Sequence, residues 1–290
     1  MEVLLATCRD RPELTPNDRL LQQALQVRGA QARPLPWDMI ALNGGPPTLV
    51  CLRSTWDYHR RWPEFQGWVQ GFGAQAGRLW NPSPTVQWNA DKRYLRDLAE
   101  SGVPLPATQW YEPGERPELD GFLRRFGVSR AVLKPRVSAT AYGTHVVAAG
   151  ATLAGAEWPH LEQVGCLVQA FVPEIVQGEA SLIFIDGEFS HAVLKRPSPG
   201  EFRVQHDFGG RVEGLTPAPP LRELAERVLH SMSYSWLYAR VDLVQTAAGP
   251  VLMELELIEP DLFFTHAPAA ADRLAEALIG RTTMAASWSW

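Results

Sequence analysis

Apolar positions recur along this chain in two periods, and the switches between them outline its elements. Residues 3–6 are a short continuous apolar run of the kind that forms a buried strand. Thr15-Pro16-Asn17-Asp18 then supplies a capping hydroxyl, a first-turn proline and an acid at the positive end of a helix dipole. Leu20, Leu21, Ala24 and Leu25 fall on one helical face, and Gly29 can end the helix. Residues 32–36 read as a weak strand and 48–52 as a clear one. Phe65, Trp68, Val69 and Phe72 predict a second helix entered at Pro63, and residues 78–81 a further strand closed by Pro82 and Pro84. This β-α-β-β-α-β order predicts a small parallel sheet with flanking helices, whose ligands sit beyond the carboxyl ends of its strands. One rim would then carry residues 7–10, Trp37-Asp38, and the loop Arg53-Ser54-Thr55-Trp56-Asp57-Tyr58-His59. That loop is either a substrate-binding segment or a capped turn before the next helix.

Residues 86–102 predict a helix with Asn89 as its cap, Gly102 as its stop, and Tyr94, Leu95, Leu98 and Ala99 as its apolar face. Lys92 falls in its first turn, where the dipole disfavours a cation and from which a lysine can reach a bound anion. Residues 108–170 read as a small α+β unit: a helix over 118–126, a strand over 130–134 ending in Lys134-Pro135, and a strand over 144–148. The loop between those strands, 136–143, is built of small residues and includes Ser138, Ala139 and Thr140. Such a loop lets backbone N–H groups approach phosphate oxygens that Lys134 can neutralise, although a plain turn has the same composition. It is not a Walker loop, because G-x-x-x-x-G-K is absent. Residues 167–172 form a strand stopped by Pro173, followed by Gly178-Glu179 and a hairpin over 180–195 turning at Asp186-Gly187. Lys195 lies at its far end and Arg203 eight residues on, in a stretch with Phe202, Val204, His206, Asp207 and Phe208. Residues 217–220 read as a connector. Leu221, Leu224, Ala225, Val228 and Leu229 mark an amphipathic helix, a last helix covers 268–279, and residues 281–290 show no pattern.

The most informative stretch is Y-A-R-V-D-L-V-Q-T-A-A-G-P-V-L-M-E-L-E-L-I-E-P, residues 238–260. It reads as strands over 238–244 and 251–258 joined by Ala247-Ala248-Gly249-Pro250. Strand alternation puts Arg240 and Asp242 on one face, and likewise Glu254 and Glu256. Pairing Gln245 with Val251 would set Asp242 opposite Glu254. Adjacent carboxylates repel unless a cation lies among them, and hard oxygen ligands suit Mg2+ or Mn2+. A solvated acidic hairpin face is the alternative.

Composition narrows the class of protein. The chain has 290 residues, 46% hydrophobic and 20% charged, which suits a globular protein with a large core. A net charge of −5 gives no footprint for nucleic acid. Cys8, Cys51 and Cys166 are scattered and odd in number, which fits a reducing cytoplasm better than a disulfide or zinc framework. No apolar run approaches a membrane span, and the short one at the start does not read as a signal peptide.

Taken together, the order of Lys92, K-P-x-x-S-A-T-A-Y-G (134–143), V-Q-A-F-V with Gly178-Glu179, and A-R-V-D-L-V…M-E-L-E-L resembles the ATP-grasp family of the glutathione synthetase and D-alanine–D-alanine ligase type. The resemblance covers roughly residues 1–280. The segments R-S-T-W-D-Y-H (53–59), S-H-A-V-L-K-R-P (190–197) and E-L-E-L-I-E-P (254–260) resemble the branch that holds the cyclo-ligase of D-cycloserine biosynthesis, which closes O-ureidoserine. The resemblance implies a mixed α/β and α+β chain. Its parts would be a Rossmann-like pre-ATP-grasp substrate-side domain (1–88), a small α+β lid (89–170) and a C-terminal α+β domain that binds ATP and metal (171–290). It implies that Lys92, Lys134, Ser138, Ala139 and Thr140 meet the phosphates of ATP. Gln169 and the backbones of Ala170 and Val172 would meet the adenine, and Glu179 the ribose. Asp242, Glu254 and Glu256 would hold Mg2+ or Mn2+. Arg240, Lys195 and Arg203 would face the transferred phosphate or a substrate carboxylate, and Arg53, Ser54, Thr55, Trp56, Asp57 and His59 the substrate. The implied partners are ATP and a small-molecule carboxylate, with no nucleic acid and no membrane; many relatives are dimers, so a homodimer stays open. The implied reaction is acyl-phosphate formation followed by attack of an amine. A kinase on the same fold, or a nucleotide-binding protein without turnover, are the alternatives. Two residues depart from the family pattern: Glu256 replaces the usual Asn, and Gln169 a frequent carboxylate.

Overall fold

The computed structural model describes residues 1–41, 48–72, 78–151, 158–201, 203–204 and 209–287. Strands β1 (Glu2–Thr7), β2 (Gln31–Pro36), β3 (Thr48–Leu52) and β4 (Leu79–Trp80) form a parallel sheet, as the pattern predicts, and their order in it is β2-β1-β3-β4. Helix α1 (Pro16–Val27) starts at Thr15, whose hydroxyl accepts from the Asp18 N–H, and buries Leu21, Ala24 and Leu25 beside Val3, Leu5 and Leu49. Helix α2 (Trp62–Gly71) covers the other face, where Phe65, Trp68 and Val69 meet Leu4, Ala6 and Leu52.

The helix expected over 86–102 is two helices, α3 (Ser83–Ala90) and α4 (Tyr94–Glu100). Asn89 therefore caps nothing; it ends α3 and uses its side chain elsewhere. Lys92 lies in the break between the helices rather than in a first turn, and Ala99 is exposed. A second sheet follows from β5 (Thr108–Tyr111), β6 (Arg130–Pro135), β7 (His145–Ala148) and β8 (Cys166–Ala170), antiparallel in the order β5-β8-β6-β7. Phe122 and Leu123 of α5 (Leu119–Phe126) and Leu161 of α6 (Trp158–Val164) pack on its Ala131, Leu133 and Val168.

The third sheet is antiparallel and joins β9 (Glu179–Ile185), β10 (Glu188–Arg196), β11 (Arg211–Leu215), β12 (Tyr238–Thr246) and β13 (Gly249–Glu256) in the order β11-β10-β9-β12-β13. One of its faces rests on α4 and on α7 (Pro219–His230), through Tyr94, Leu98, Leu221, Leu224 and Val228. Pro219 and Pro220, expected in a connector, enter the first turn of α7. The opposite face divides along its length. Ile183, Ile185, Val193 and Tyr238 pack on α8 (Pro268–Ser287) and the first sheet, while the other end carries charged side chains. Helix α8 runs past residue 279 to Ser287, because alanines and small polar residues prolong a helix without an apolar stripe.

Asp242 lies opposite Glu254, as expected, but Gln245 pairs with Pro250 and not Val251. A register shift after Asp242 takes up Met253 and accounts for the difference. Strand β13 is a sheet edge, and two asparagines cover its continuation. Asn89 donates to the Leu255 carbonyl at 2.8 Å and accepts from the Leu257 N–H at 2.8 Å. Asn81 donates to the carbonyls of Leu257 (2.7 Å) and Tyr238 (2.9 Å) and accepts from the Leu237 N–H. These amides substitute for the missing neighbour strand and tie the first sheet to the third.

Removing the Asn81 amide strands several buried backbone groups. Asn81→Ala is expected to lower the unfolding free energy by about 2–4 kcal/mol in a denaturant titration; a loss under about 1 kcal/mol would show that the tie is replaceable.

Candidate active site

A cleft of about 1080 Å3 opens where the three sheets meet. Its floor is the charged end of the third sheet. Alternation puts Glu179 and Ser181 of β9, Lys195 of β10, Arg240 and Asp242 of β12 and Glu254 and Glu256 of β13 on one face. Lys195 Nζ donates to Asp242 at 3.0 Å and also pairs with Glu179. Arg240 pairs with Asp242 at 2.9 Å and with Glu256, and Ser181 Oγ donates to Asp242. Lys92 Nζ lies 2.7 Å from Glu254.

The electrostatics follow from burial set against these pairs. Burial alone would raise the Asp242 carboxyl, but the charges of Arg240 and Lys195 outweigh it and hold it well below the usual range. Burial would lower Lys92 and Lys195, yet Glu254 for the first, and Asp242 and Glu179 for the second, keep both ammonium groups raised. Lys134, with no such carboxylate in contact among the described residues, is lowered by burial. Glu256 is pushed up to about 7 by burial, with Glu254 and Asp242 adding to the effect against Arg240. The floor therefore holds more negative charge than its cations offset at that corner.

Among the described residues no three carboxylate, imidazole or thiol groups converge tightly enough to enclose an ion. Each acid is drawn toward a lysine or arginine instead. The donor set still fits a hard divalent cation: Asp242, Glu254 and Glu256 are oxygen donors on adjacent strands of the cleft floor, and Glu254 and Asp242 add to the burial that raises Glu256.

The roof is the small-residue loop after β6. Thr140 and Ala141 have φ of 53° and 55°, uncommon for residues with a Cβ. Gly143, at φ 66°, cannot carry a side chain, because a Cβ would lie 2.7 Å from Pro135 Cγ. Ser138, Ala139 and Thr140 line the cleft. Arg136, buried at the root of the loop, pairs with Asp91 at 2.7 Å and with Glu112, and its carbonyl accepts from the Lys92 N–H at 2.9 Å. It fastens the loop to the break that carries Lys92. Nothing in the spacing of Asp91 and Arg136 reveals that pair, since only the fold brings them together.

Lys134 donates to Gln169 Oε1 at 3.1 Å, and Gln169 Nε2 donates to Thr108 Oγ1. Gln169, Ala170, Val172 and Glu179 also line the cleft. The Ala170 N–H is committed to the Ala107 carbonyl at 2.8 Å, so it is not free to meet a ligand. Arg203 lines the cleft and pairs with Glu201 at 2.6 Å. Phe202, His206, Asp207 and Phe208 lie outside the described residues.

The loop 53–59 divides. Trp56 and Asp57 line the cleft, whereas Arg53, Ser54, Thr55 and His59 are buried behind it. Arg53 is 1% exposed. It pairs with Asp18 at 2.7 Å and donates to the Pro260 carbonyl at 2.7 Å. It joins the start of α1 to the chain after β13, a structural tie in place of a substrate contact. His59 packs behind Tyr142, with ring centroids 5.0 Å apart. Trp56 Nε1 donates to the Glu259 carbonyl at 3.4 Å, and the Arg11 guanidinium lies 5.2 Å over its ring. Arg11 and the Glu259 side chain both line the cleft without having been singled out from the sequence; Glu259 stands inside E-L-I-E-P, where its neighbours drew the attention.

Two family patterns match the chain: "D-cycloserine synthetase DcsG, N-terminal domain" over residues 3–81, and "Prokaryotic glutathione synthetase, ATP-grasp domain" over 120–260. The chain is 30% identical to the cycloserine biosynthesis protein DcsG of Streptomyces lavendulae, over 90% of its own length and 92% of that relative. The crystal structure of D-cycloserine synthetase DcsG superposes with a TM-score of 0.81 at 26% identity, covering 97% of this chain and all of that one. D-alanine–D-alanine ligase from Bacillus anthracis shares the fold, with a TM-score of 0.69 at 14% identity over 98% of this chain and 97% of that one. The chain belongs to the ATP-grasp family of ligases, which use ATP and a divalent metal. Among the described residues no helix is long and apolar enough to cross a membrane.

Removing Arg53 leaves Asp18 buried without its cation. Arg53→Met is expected to cost about 3–5 kcal/mol of stability in denaturant unfolding. A variant of unchanged stability with a raised substrate KM would return Arg53 to the substrate site.

Proposed function

We propose that this ATP-grasp ligase forms a C–N bond between a carboxylate and an amine through an acyl phosphate. The substrate is small and amino-acid-like, and the specific form is ring closure within one molecule of the O-ureidoserine type. The observation that carries this reading is the cleft floor. Three acids there are held by Lys92, Lys195 and Arg240, with Lys134 beside them and a loop of small residues above. Similarity to the DcsG protein across 90% of this chain supports the cyclising form.

In this reading residues 1–88 form the substrate side, 89–170 the lid and 171–290 the ATP- and metal-binding part. Lys92 and Lys134 take phosphate oxygens beneath Ser138, Ala139 and Thr140. Lys92 would exchange the Glu254 carboxylate for phosphate, which frees that acid for metal. Gln169 and the backbones of Ala170, through its carbonyl, and Val172 hold the adenine; Glu179 takes the ribose. Asp242, Glu254 and Glu256 hold Mg2+ or Mn2+, which supplies charge stabilisation to the transferring phosphoryl group. Arg240, Lys195 and Arg203 orient the phosphate and the substrate carboxylate.

The substrate carboxylate oxygen attacks the γ-phosphorus and ADP leaves. The amine nitrogen then attacks the acyl carbon and loses a proton, and phosphate departs with one former carboxylate oxygen. The loop 136–143 excludes water that would otherwise hydrolyse the acyl phosphate. Trp56 and Asp57 face the substrate from the first sheet.

The test is ADP and phosphate release from Mg-ATP across a panel of carboxylates, O-ureidoserine among them, with and without amines, followed by mass spectrometry. A new C–N bond with free phosphate is the expected product; a stable phosphorylated hydroxyl compound would make the protein a kinase, and no release would leave a binding protein. Glu254→Gln is expected to lower turnover by roughly 100-fold or more while circular dichroism stays native, and Asp242→Asn to lower turnover at least as far with a loss of stability from the unpaired Lys195 and Arg240. Near-native turnover in both with unchanged metal dependence would remove the metal assignment. Trp56→Ala is expected to raise the KM for the carboxylate more than that for ATP, and equal small effects would return the loop to a structural role.

A further inference from the structure

Every acid on the cleft floor has a cation, whereas two acids beside it, Glu259 and Asp261, have none among the described residues, and Asp261 is met by the Asn17 amide and the Phe263 N–H. Glu259 follows β13, lines the cleft and is 9% exposed. Its backbone carbonyl accepts from Trp56, but among the described residues its carboxylate has neither a hydrogen bond nor an ion pair. The cations nearest in effect are already committed. Lys92 holds Glu254 at 2.7 Å, and Arg240 holds Asp242 at 2.9 Å together with Glu256. A carboxylate this buried costs free energy unless donors meet it, and the open side of Glu259 is the cleft itself. The wall beside it is Trp56, which lines the same cleft and comes from the loop after the third strand of the first sheet.

We propose that Glu259 receives the nitrogen end of the substrate, so that the site selects carboxylic acids that also carry an ammonium or another group rich in N–H donors. The assignment rests on the ligase reading and adds to it the residue that recognises the nitrogen end of that substrate. Charge-assisted hydrogen bonds from such a group would satisfy the cleft acid that has no partner among the described residues. A plain carboxylic acid would leave Glu259 buried and unpaired, and the site would discriminate against it for that reason.

The experiment is calorimetric binding of two probes to the full chain saturated with magnesium and a non-hydrolysable ATP analogue. The probes are 2,3-diaminopropionate and butyrate, which are similar in length and differ in nitrogen. Wild type is expected to bind diaminopropionate roughly 10-fold or more tightly than butyrate. Glu259→Gln should erase most of that ratio without changing affinity for the nucleotide analogue, and Glu259→Asp should restore part of it. Equal binding of the probes by wild type, binding of neither, or a ratio unchanged in Glu259→Gln would each overturn the proposal. Because the readout is binding, ADP release in wild type reports separately on the ligase reading. Thermal unfolding of both variants separates a lost contact from a lost fold, and the wild-type ratio decides the matter if Glu259→Gln does not fold.

Discussion

The cleft depends on one buried acid. Asp242 sits among Lys195, Arg240 and Ser181, and these partners come from three strands. A carboxylate so enclosed is stable only with its cations, and the cations only with it. The cluster is thus a mutual constraint that sets the register of β9, β10 and β12 at their polar end, while Ile183, Ile185 and Val193 set it at the other. Arg240 and Lys195 hold the Asp242 carboxyl low, whereas burial, with Glu254 and Asp242 adding to it, pushes Glu256 up to about 7. The same sheet face therefore provides a rigid anchor and, a short distance away, an excess of negative charge.

The ligand-free arrangement also explains why the acids do not converge. Lys92, Lys195 and Arg240 occupy them, and these are the residues that the ligase reading assigns to phosphate and substrate. Phosphate and metal would each take one half of an existing ion pair. Such an exchange leaves few charges buried alone at any stage, which lowers the electrostatic cost of filling a dry cleft.

How far the sequence reveals this depends on the range of each interaction. The parallel first sheet, the capped α1 and the acid hairpin were legible because alternation, capping and turn chemistry act over a few residues. The Asp242–Glu254 pairing followed from the hairpin, although the shift near Met253 was not visible. Asn89 looked like a cap because asparagine before an apolar run usually is one; here it completes the edge of β13, more than 160 residues away. Arg53 read as a substrate contact because it stands in a polar loop, and its partners Asp18 and Pro260 come from opposite ends of the chain. The Arg136–Asp91 tie and the unmet carboxylate of Glu259 were hidden for the same reason. Strand β11 gave no signal, since Arg211–Leu215 has only two apolar side chains.

The central claim is that this buried cluster serves transfer of phosphate to a carboxylate. The most direct measurement is the fate of oxygen from a substrate labelled with 18O in its carboxylate. The account predicts that one label appears in the phosphate released during turnover with Mg-ATP. Phosphate free of label, released together with a C–N product, would contradict it.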